Sequence, residues 1–175
     1  MLQAMDEIKL YHKVWTILLV LLVLLALMIV PIIPLCQGKG SLLWNCILLM
    51  IPTPVFLLGL IVLFRERVLH IPPIIITEDR IIVNSVGGIK EYHFADIDRF
   101  RLFDFGGLII SRVVITIHYI RSVETKKMDE SKGWDRIYRK MNLALMNAQD
   151  SIQVTNLTMK PKQLCNLLNK RLKRT

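Results

Sequence analysis

Three aspartates in one short segment are the first candidates for chemistry in this chain. Asp96, Asp98 and Asp104 could bind a cation or exchange protons, because carboxylates serve as metal ligands and as general acids and bases. In an extended strand, Asp96 and Asp98 share a face. Arg99 and Arg101 alternate with these acids, however, and alternating charge is typical of a solvated sheet face. The segment therefore predicts no catalytic site.

The histidines and glycine pairs give no stronger signal for an active site. His70, His93 and His118 are widely spaced and lack the H-x-x-x-H or H-E-x-x-H spacing that brings metal ligands together on a helix. The Gly-Gly pairs at 87–88 and 106–107 belong to no P-loop or dinucleotide-binding motif and indicate turns. We therefore expect that the chain is not an enzyme and uses no metal or cofactor.

The densest basic cluster lies at the C-terminus, at Lys170, Arg171, Lys173 and Arg174. It has three interpretations: a nucleic-acid patch, a contact with anionic lipid, or a solvated helix end whose cations complement the helix dipole. If these four residues bind a partner, we expect that partner to be the membrane surface. We expect no nucleic-acid partner. Lipid is the nearer partner because of the segments that precede this region.

Two long apolar runs, 14–33 and 42–64, contain no charged residue. Each holds about 20 residues or more, which is the helical length that crosses a hydrocarbon core about 30 Å thick. The intervening 34–41 is long enough only to reverse the chain, so the runs predict a transmembrane helical hairpin. Pro31 and Pro34 are expected to end the first helix, and 52–54 (PTP) to kink the second.

A cleaved signal peptide or a lipoprotein anchored at Cys36 is the alternative for the first run. Neither fits well, because 30–35 (VPIIPL) offers no small-residue cleavage site and the second run would still need a membrane. Cys36 and Cys46 flank the turn of the hairpin, and whether they pair there or stay free is left open. Cys165 is expected to stay reduced.

The orientation of the hairpin follows from its flanking charges, since Lys and Arg are retained on the cytoplasmic side. Four basic residues flank its outer ends and a single one lies in the turn: Lys9, Lys13, Arg65 and Arg67 against Lys39. Both termini are therefore expected in the cytoplasm, with 1–13 as a cytoplasmic N-terminus. Trp15 and Trp44 lie near the ends of the runs and are predicted interface anchors.

The rest of the chain, 65–175, is long enough for one cytoplasmic domain and carries a net charge of about +8. Short β-branched runs between polar or glycine turns predict a five-stranded antiparallel meander at 74–77, 81–84, 91–94, 97–103 and 109–120. An exposed loop (121–133), a helix (134–147) and a last strand (151–155) are expected next. From Pro161, the spacing of Leu164, Leu167, Leu168 and Leu172 predicts an amphipathic helix that docks on the sheet.

This order of elements resembles an uncharacterised family of small bacterial membrane proteins with a pleckstrin-homology-like cytoplasmic domain. The matching segments are ITEDRI (76–81), the Gly-Gly turn leading to FADI (94–97), and LTMKPKQL (157–164). The resemblance implies an α+β membrane protein of the bacterial inner membrane, with a strongly bent antiparallel sheet or partly open barrel capped by the C-terminal helix. Glu78 and Asp79 occupy the first hairpin loop, where phosphoinositide-binding relatives of this fold cluster Lys and Arg, so no specific phosphoinositide is expected.

Three functions remain open from the sequence. The first is a non-catalytic, membrane-anchored interaction module that contacts membrane lipids and an unidentified protein partner. The second is a toxin-immunity or envelope-stress membrane protein, and the third is an enzyme with an unrecognised site. A fold shared with known proteins does not choose among them.

Overall fold

The computed structural model describes residues 7–38, 41–106 and 112–173. The chain divides into two compact units, one formed by Tyr11–Pro72 and the other by Met1–Leu10 together with Pro73–Thr175. The second unit is therefore assembled from one segment that precedes the first unit in the sequence and one that follows it. It is α+β, with antiparallel sheets and a C-terminal helix, whereas the elements described in the first unit are three helices.

The helical unit contains α1 (Val14–Cys36), α2 (Leu42–Met50) and α3 (Pro52–Arg67). Within the part of the chain that the structure describes, two stretches are long and apolar enough to cross a membrane, Val14–Pro34 and Leu43–Arg67. Few residues in the most apolar part of the first stretch are buried, and none in that of the second. Their large apolar side chains are therefore exposed, unlike those of a core helix in a soluble domain.

The prolines lie within the helix in the first stretch, whereas in the second stretch Pro52 begins a new helix. Pro31 and Pro34 lie inside α1, so the expectation that they end the helix is wrong. A proline removes one backbone hydrogen bond, and apolar helices that pack on neighbours tolerate this loss. Where a kink was expected at 52–54 in a single helix, the structure has two helices: Ile51 separates α2 from α3, and Pro52 opens α3 where its missing N–H costs nothing.

In the described residues, seven strands form two antiparallel sheets. The expectation of one continuous meander is therefore wrong. The first sheet has the order β1 (Ile8–Leu10), β2 (Ile74–Ile76), β3 (Arg80–Ser85) and β4 (Gly88–His93). The second has the order β5 (Ile97–Phe105), β6 (Arg112–Tyr119) and β7 (Asp150–Gln153). A short 3₁₀ turn, Phe94–Asp96, interrupts pairing between β4 and β5 and separates the sheets. The buried Phe94 fixes this turn in the core.

The strand β1 has no counterpart in the sequence-based prediction. It pairs with β2 in the register Ile8 to Ile76, Lys9 to Ile75 and Leu10 to Ile74. Leu10 is only 3% exposed and belongs to the core of the domain. A strand of three residues is too short to show the period of two that predicts strands from sequence.

The helices of this unit are α4 (Arg121–Glu130), α5 (Gly133–Met146) and α6 (Pro161–Leu172). The predicted α6 is confirmed, since Leu164 and Leu168 are fully buried against both sheets in the core. The loop expected at 121–133 is wrong, because most of it is α4. This helix buries none of its residues, so it lacks the apolar stripe that predicts helices. Its Lys and Glu residues favour helix by propensity instead.

Candidate interaction surface

The helix α5 is held at the edge of the domain by one narrow side. Asn142 and Met146 are its only buried residues. Asn142 donates a hydrogen bond from Nδ2 to the carbonyl oxygen of Gln149, at 3.1 Å. The helix ends at Asn147, whose left-handed backbone (φ +54°) lets its N–H donate to the carbonyl of Leu143 at 3.0 Å.

A buried carboxylate provides the second attachment of α5. Asp150, at the start of β7, is 2% exposed. Its Oδ2 accepts hydrogen bonds from Arg139 of α5 and from the hydroxyl of Tyr119 of β6, each at 2.7 Å. Arg139 also donates from Nε to Asp135, one turn earlier, at 3.0 Å. The guanidinium therefore joins α5 to the sheet through Asp150, while Asp135 of the same helix holds it in place, a geometry that suits its planar fork.

Two buried tyrosines surround this carboxylate. Burial, reinforced by the negative charge of Asp150, raises the pKa of Tyr119 far above its ordinary value. The same two causes, in the same order, raise the pKa of Tyr92 on β4. Both hydroxyls thus remain protonated across the physiological range, and Tyr119 acts as a donor to Asp150. We interpret this network as one that positions α5, since Arg139 and Tyr119 both donate to the buried Asp150.

The apolar face of α5 points away from these attachments. Trp134 is 85% exposed, and four further large side chains on the same side of the helix are exposed with it: Ile137, Tyr138, Met141 and Leu145. Their spacing of three and four residues places them in one stripe. Among the residues that the structure describes, Lys90 of β4 comes near this stripe, with Nζ 5.8 Å from the ring centre of Tyr138. We call Trp134, Ile137, Tyr138, Met141 and Leu145 the α5 face.

The predicted lipid-contact residues of the C-terminal cluster divide into two groups. Lys170 and Lys173 are exposed, as expected for a surface contact. Arg171 is only 8% exposed, and its guanidinium donates to the carbonyl oxygens of Ile76 and Thr77 on the first sheet. Arg171 therefore joins α6 to β2 and is not available as a membrane contact, which corrects its assignment. Arg174 lies outside the described residues.

The predicted anchors Trp15 and Trp44 lie in the first turns of α1 and α2, respectively, and both are exposed. Exposure of an indole among other apolar side chains is compatible with an interface position. Their depth in a bilayer stays a prediction.

The aspartates and histidines do not assemble into a metal site in the described part of the chain, where no group of three metal-binding side chains is found. Asp96 lies in the 3₁₀ turn, while Asp98 and Asp104 lie in β5. His93 ends β4, and His118 lies in the middle of the second sheet. Burial, followed by the charges of the two neighbouring arginines on β5, lowers the pKa of His118.

A groove of about 750 Å³ lies between the 3₁₀ turn, the start of β5 and the end of α6. Its polar rim includes Asp98, Arg99, Asn169 and Lys173. Asn169 is already engaged, since its amide bonds both the N–H and the carbonyl of Phe100, each at 3.0 Å. The groove is open to solvent and its amide serves to dock α6, so we do not assign it a ligand.

The three cysteines are free thiols. Cys36 and Cys46 are exposed, and the structure does not join them by a disulfide. Burial raises the pKa of Cys165, which makes its thiol a poor nucleophile and supports a packing role between α6, on which it lies, and β5.

Comparison of the chain with known proteins found no match among protein-family models, curated proteins or solved structures. The α5 face is the main feature that the sequence did not assign. A helical period was visible in 134–147, but the period alone does not say which side of a helix the domain covers.

Proposed function

We propose that this chain is a non-catalytic, membrane-anchored interaction module that presents a pleckstrin-homology-like domain at the cytoplasmic face of a bacterial inner membrane. The observation that carries the proposal is the α5 face, which exposes five large apolar side chains on a helix fixed by buried polar contacts. Exposed apolar patches on ordered elements mark interaction sites. Catalysis would instead require a convergent cluster of reactive groups.

The anchoring part of the proposal is supported by the two long apolar helices and by the pairing of β1 with β2. The first strand precedes α1 and the second follows α3. A sheet cannot form across a bilayer, so this pairing requires both flanks of the hairpin on one side. The excess of Lys and Arg on those flanks favours the cytoplasmic side.

The pleckstrin-homology-like part is supported by the arrangement of four and three antiparallel strands with a C-terminal helix packed in the core. The first hairpin loop argues against a phosphoinositide cradle. Its single basic residue, Arg80, already bonds Asp79 and Glu91, each at 2.9 Å. The Arg80 guanidinium also lowers the pKa of Asp79, so the loop keeps its negative charge.

The proposal is tested by placing a photoreactive amino acid at Met141 in the α5 face and, as a matched control, at Lys126 on the exposed polar helix α4. The full chain is irradiated in intact membranes and the adducts are identified by mass. We expect adducts with another membrane component from position 141, because an apolar face excludes water when it is covered. Equal and weak labelling at both positions would mean that the α5 face is not an interaction surface.

A further inference from the structure

The residues beside the α5 face carry positive charge. Arg136 and Lys140 lie on α5 and Lys132 precedes it, and all three are exposed. At 100° per residue, Lys140 lies about 120° and Arg136 about 160° from the centre of the apolar stripe, so both fall on the polar side of the helix and away from the buried Asn142. A helix with Trp and aliphatic residues on one face and Lys or Arg next to it is typical of helices that lie in the plane of a membrane surface.

The shape of this region also favours a soft, extended partner. Only Asn142 and Met146 of α5 are buried, so the helix is a ridge on the domain rather than the wall of a groove. A ridge inserts its side chains into the boundary between headgroups and acyl chains without requiring a complementary protein pocket. Trp134 and Tyr138 add rings that combine apolar area with a polar group, as interfacial residues do.

The charges on α5 favour lipid over a second copy of this chain as the partner of the α5 face. Two α5 faces that met symmetrically would add the positive charges of one α5 helix, Arg136 and Lys140, to those of the other, and like charges oppose such an association. Anionic lipid headgroups are attracted to the same residues. The connection between Leu10 and Val14 is only three residues long, so spanning helices would keep the domain close to the bilayer.

We propose that the α5 face inserts into the surface of the bilayer that the helical unit crosses, with Arg136 and Lys140 beside anionic headgroups. This inference rests on the proposed function, and it names a lipid surface as the occupant of the interaction site. The domain is then fixed at the membrane by two independent elements, the helical unit and α5.

The test uses the full chain with Trp15→Phe and Trp44→Phe, so that Trp134 is its single tryptophan. The protein is reconstituted in liposomes of zwitterionic and anionic lipid with bromine on the upper acyl chain, which quenches nearby indoles. We expect Trp134 to be quenched at least about threefold more than a single tryptophan placed by Lys126→Trp with Trp134→Phe. Arg136→Gln with Lys140→Gln should reduce this quenching, and salt should reduce it in the parent but little in that variant.

A second measurement is independent of the tryptophan substitutions: the photoreactive residue at Met141 should give lipid adducts. Quenching of Trp134 no greater than at position 126, together with protein adducts from position 141, would overturn the lipid assignment and leave the interaction module intact. Dimer-sized adducts would identify a second copy as the occupant. Absence of both quenching and adducts would refute this inference and the proposed function together.

Discussion

The carboxylate of Glu66, near the end of α3, accepts a hydrogen bond from the backbone N–H of His12 at 3.0 Å. Its other oxygen lies 2.5 Å from Nδ1 of the same histidine. Glu66 is only 4% exposed. Arg67 adds a bond to the carbonyl oxygen of His12 at 3.2 Å and lies 6.0 Å from the ring centre of Tyr11. The two outer ends of the hairpin are therefore joined within the helical unit.

Replacing Glu66 with Ala should destabilise the helical unit. The change leaves a backbone donor and an imidazole nitrogen of His12 without their buried acceptor, which costs roughly 1.5–3 kcal/mol for bonds to a charged group. Thermal unfolding of the full chain in detergent measures the loss. Glu7→Ala is the matched control, because Glu7 is half-exposed and its ion pair with Lys9 lies at the surface. Equal stability of the two variants would contradict the structural importance of this contact.

Arg171→Gln should also destabilise the protein, although its neighbours tolerate the same change. Arg171 bonds the carbonyl oxygens of β2 from a buried position, so its loss leaves buried acceptors unsatisfied and costs roughly 1–3 kcal/mol. Lys170→Gln and Lys173→Gln remove exposed charges and should change stability by no more than about 0.5 kcal/mol. Chemical denaturation of the three variants compares them directly. If Arg171→Gln resembles the lysine variants, Arg171 belongs to the surface after all.

The elements that were predictable from sequence are those with a clear period. In α6, Pro161 marks the first turn, and the spacing of Leu164 and Leu168 identifies the buried side without knowledge of the partner. The strands β3 and β5 were likewise located from short β-branched or alternating runs. The break between the sheets was missed because the segment between the predicted strands 91–94 and 97–103 looks like an ordinary short turn of one meander, whereas Phe94–Asp96 forms a 3₁₀ turn.

Other features depend on contacts between distant residues and could not be read locally. The strand β1 exists because Leu10 pairs with Ile74, far away in the sequence. Arg171 looked like a member of an exposed cluster because its partner carbonyls belong to β2. The orientation of α5 is set by the bond from Arg139 to Asp150, which turns its most apolar side outward. Maximal burial of apolar side chains would have predicted the opposite orientation.

High pH should expose the role of the buried tyrosines. An unfolded tyrosine releases its proton near its ordinary pKa of 10.0, whereas burial raises the pKa of folded Tyr119. The folded state therefore binds more protons above that pH, so stability is retained below pH 10 and falls as the pH rises further, by up to about 1.4 kcal/mol per pH unit for one group. Tyr92 contributes in the same direction.

Tyr119→Phe should make this alkaline loss of stability shallower. The variant should also be less stable at neutral pH by roughly 1.5–3 kcal/mol, because Asp150 loses a buried donor. Denaturation of both proteins at neutral and strongly alkaline pH provides the comparison. Tyr138→Phe, on the exposed α5 face, is the control and should leave stability at neutral pH unchanged. An alkaline loss as steep in Tyr119→Phe as in the parent would show that Tyr119 is not one of the groups responsible.

If the proposed function is correct, both flanks of the hairpin lie in the cytoplasm. The pairing of β1 with β2 on these flanks then predicts a specific membrane topology. Green fluorescent protein fused after Thr175 should fluoresce, and alkaline phosphatase fused there should be inactive. The same reporters inserted at Lys39, between the two apolar runs of the sequence, should show the opposite pattern. The physical reasons are the retention of Lys and Arg on the cytoplasmic side and the pairing of β1 with β2, which keeps the two flanks together.

Charge variants separate these two causes. Lys9→Gln with Lys13→Gln weakens the charge signal of the N-terminal flank, while the backbone pairing of Ile8 with Ile76 and of Leu10 with Ile74 is retained. If β1 and β2 pair, any molecule whose orientation changes must invert as a whole, since a sheet cannot be shared across the bilayer. Reporters at the two ends should then always give the same location in a given variant. A variant that folds stably with its N-terminus outside and its C-terminus inside would show that the β1–β2 pairing does not form in the cell.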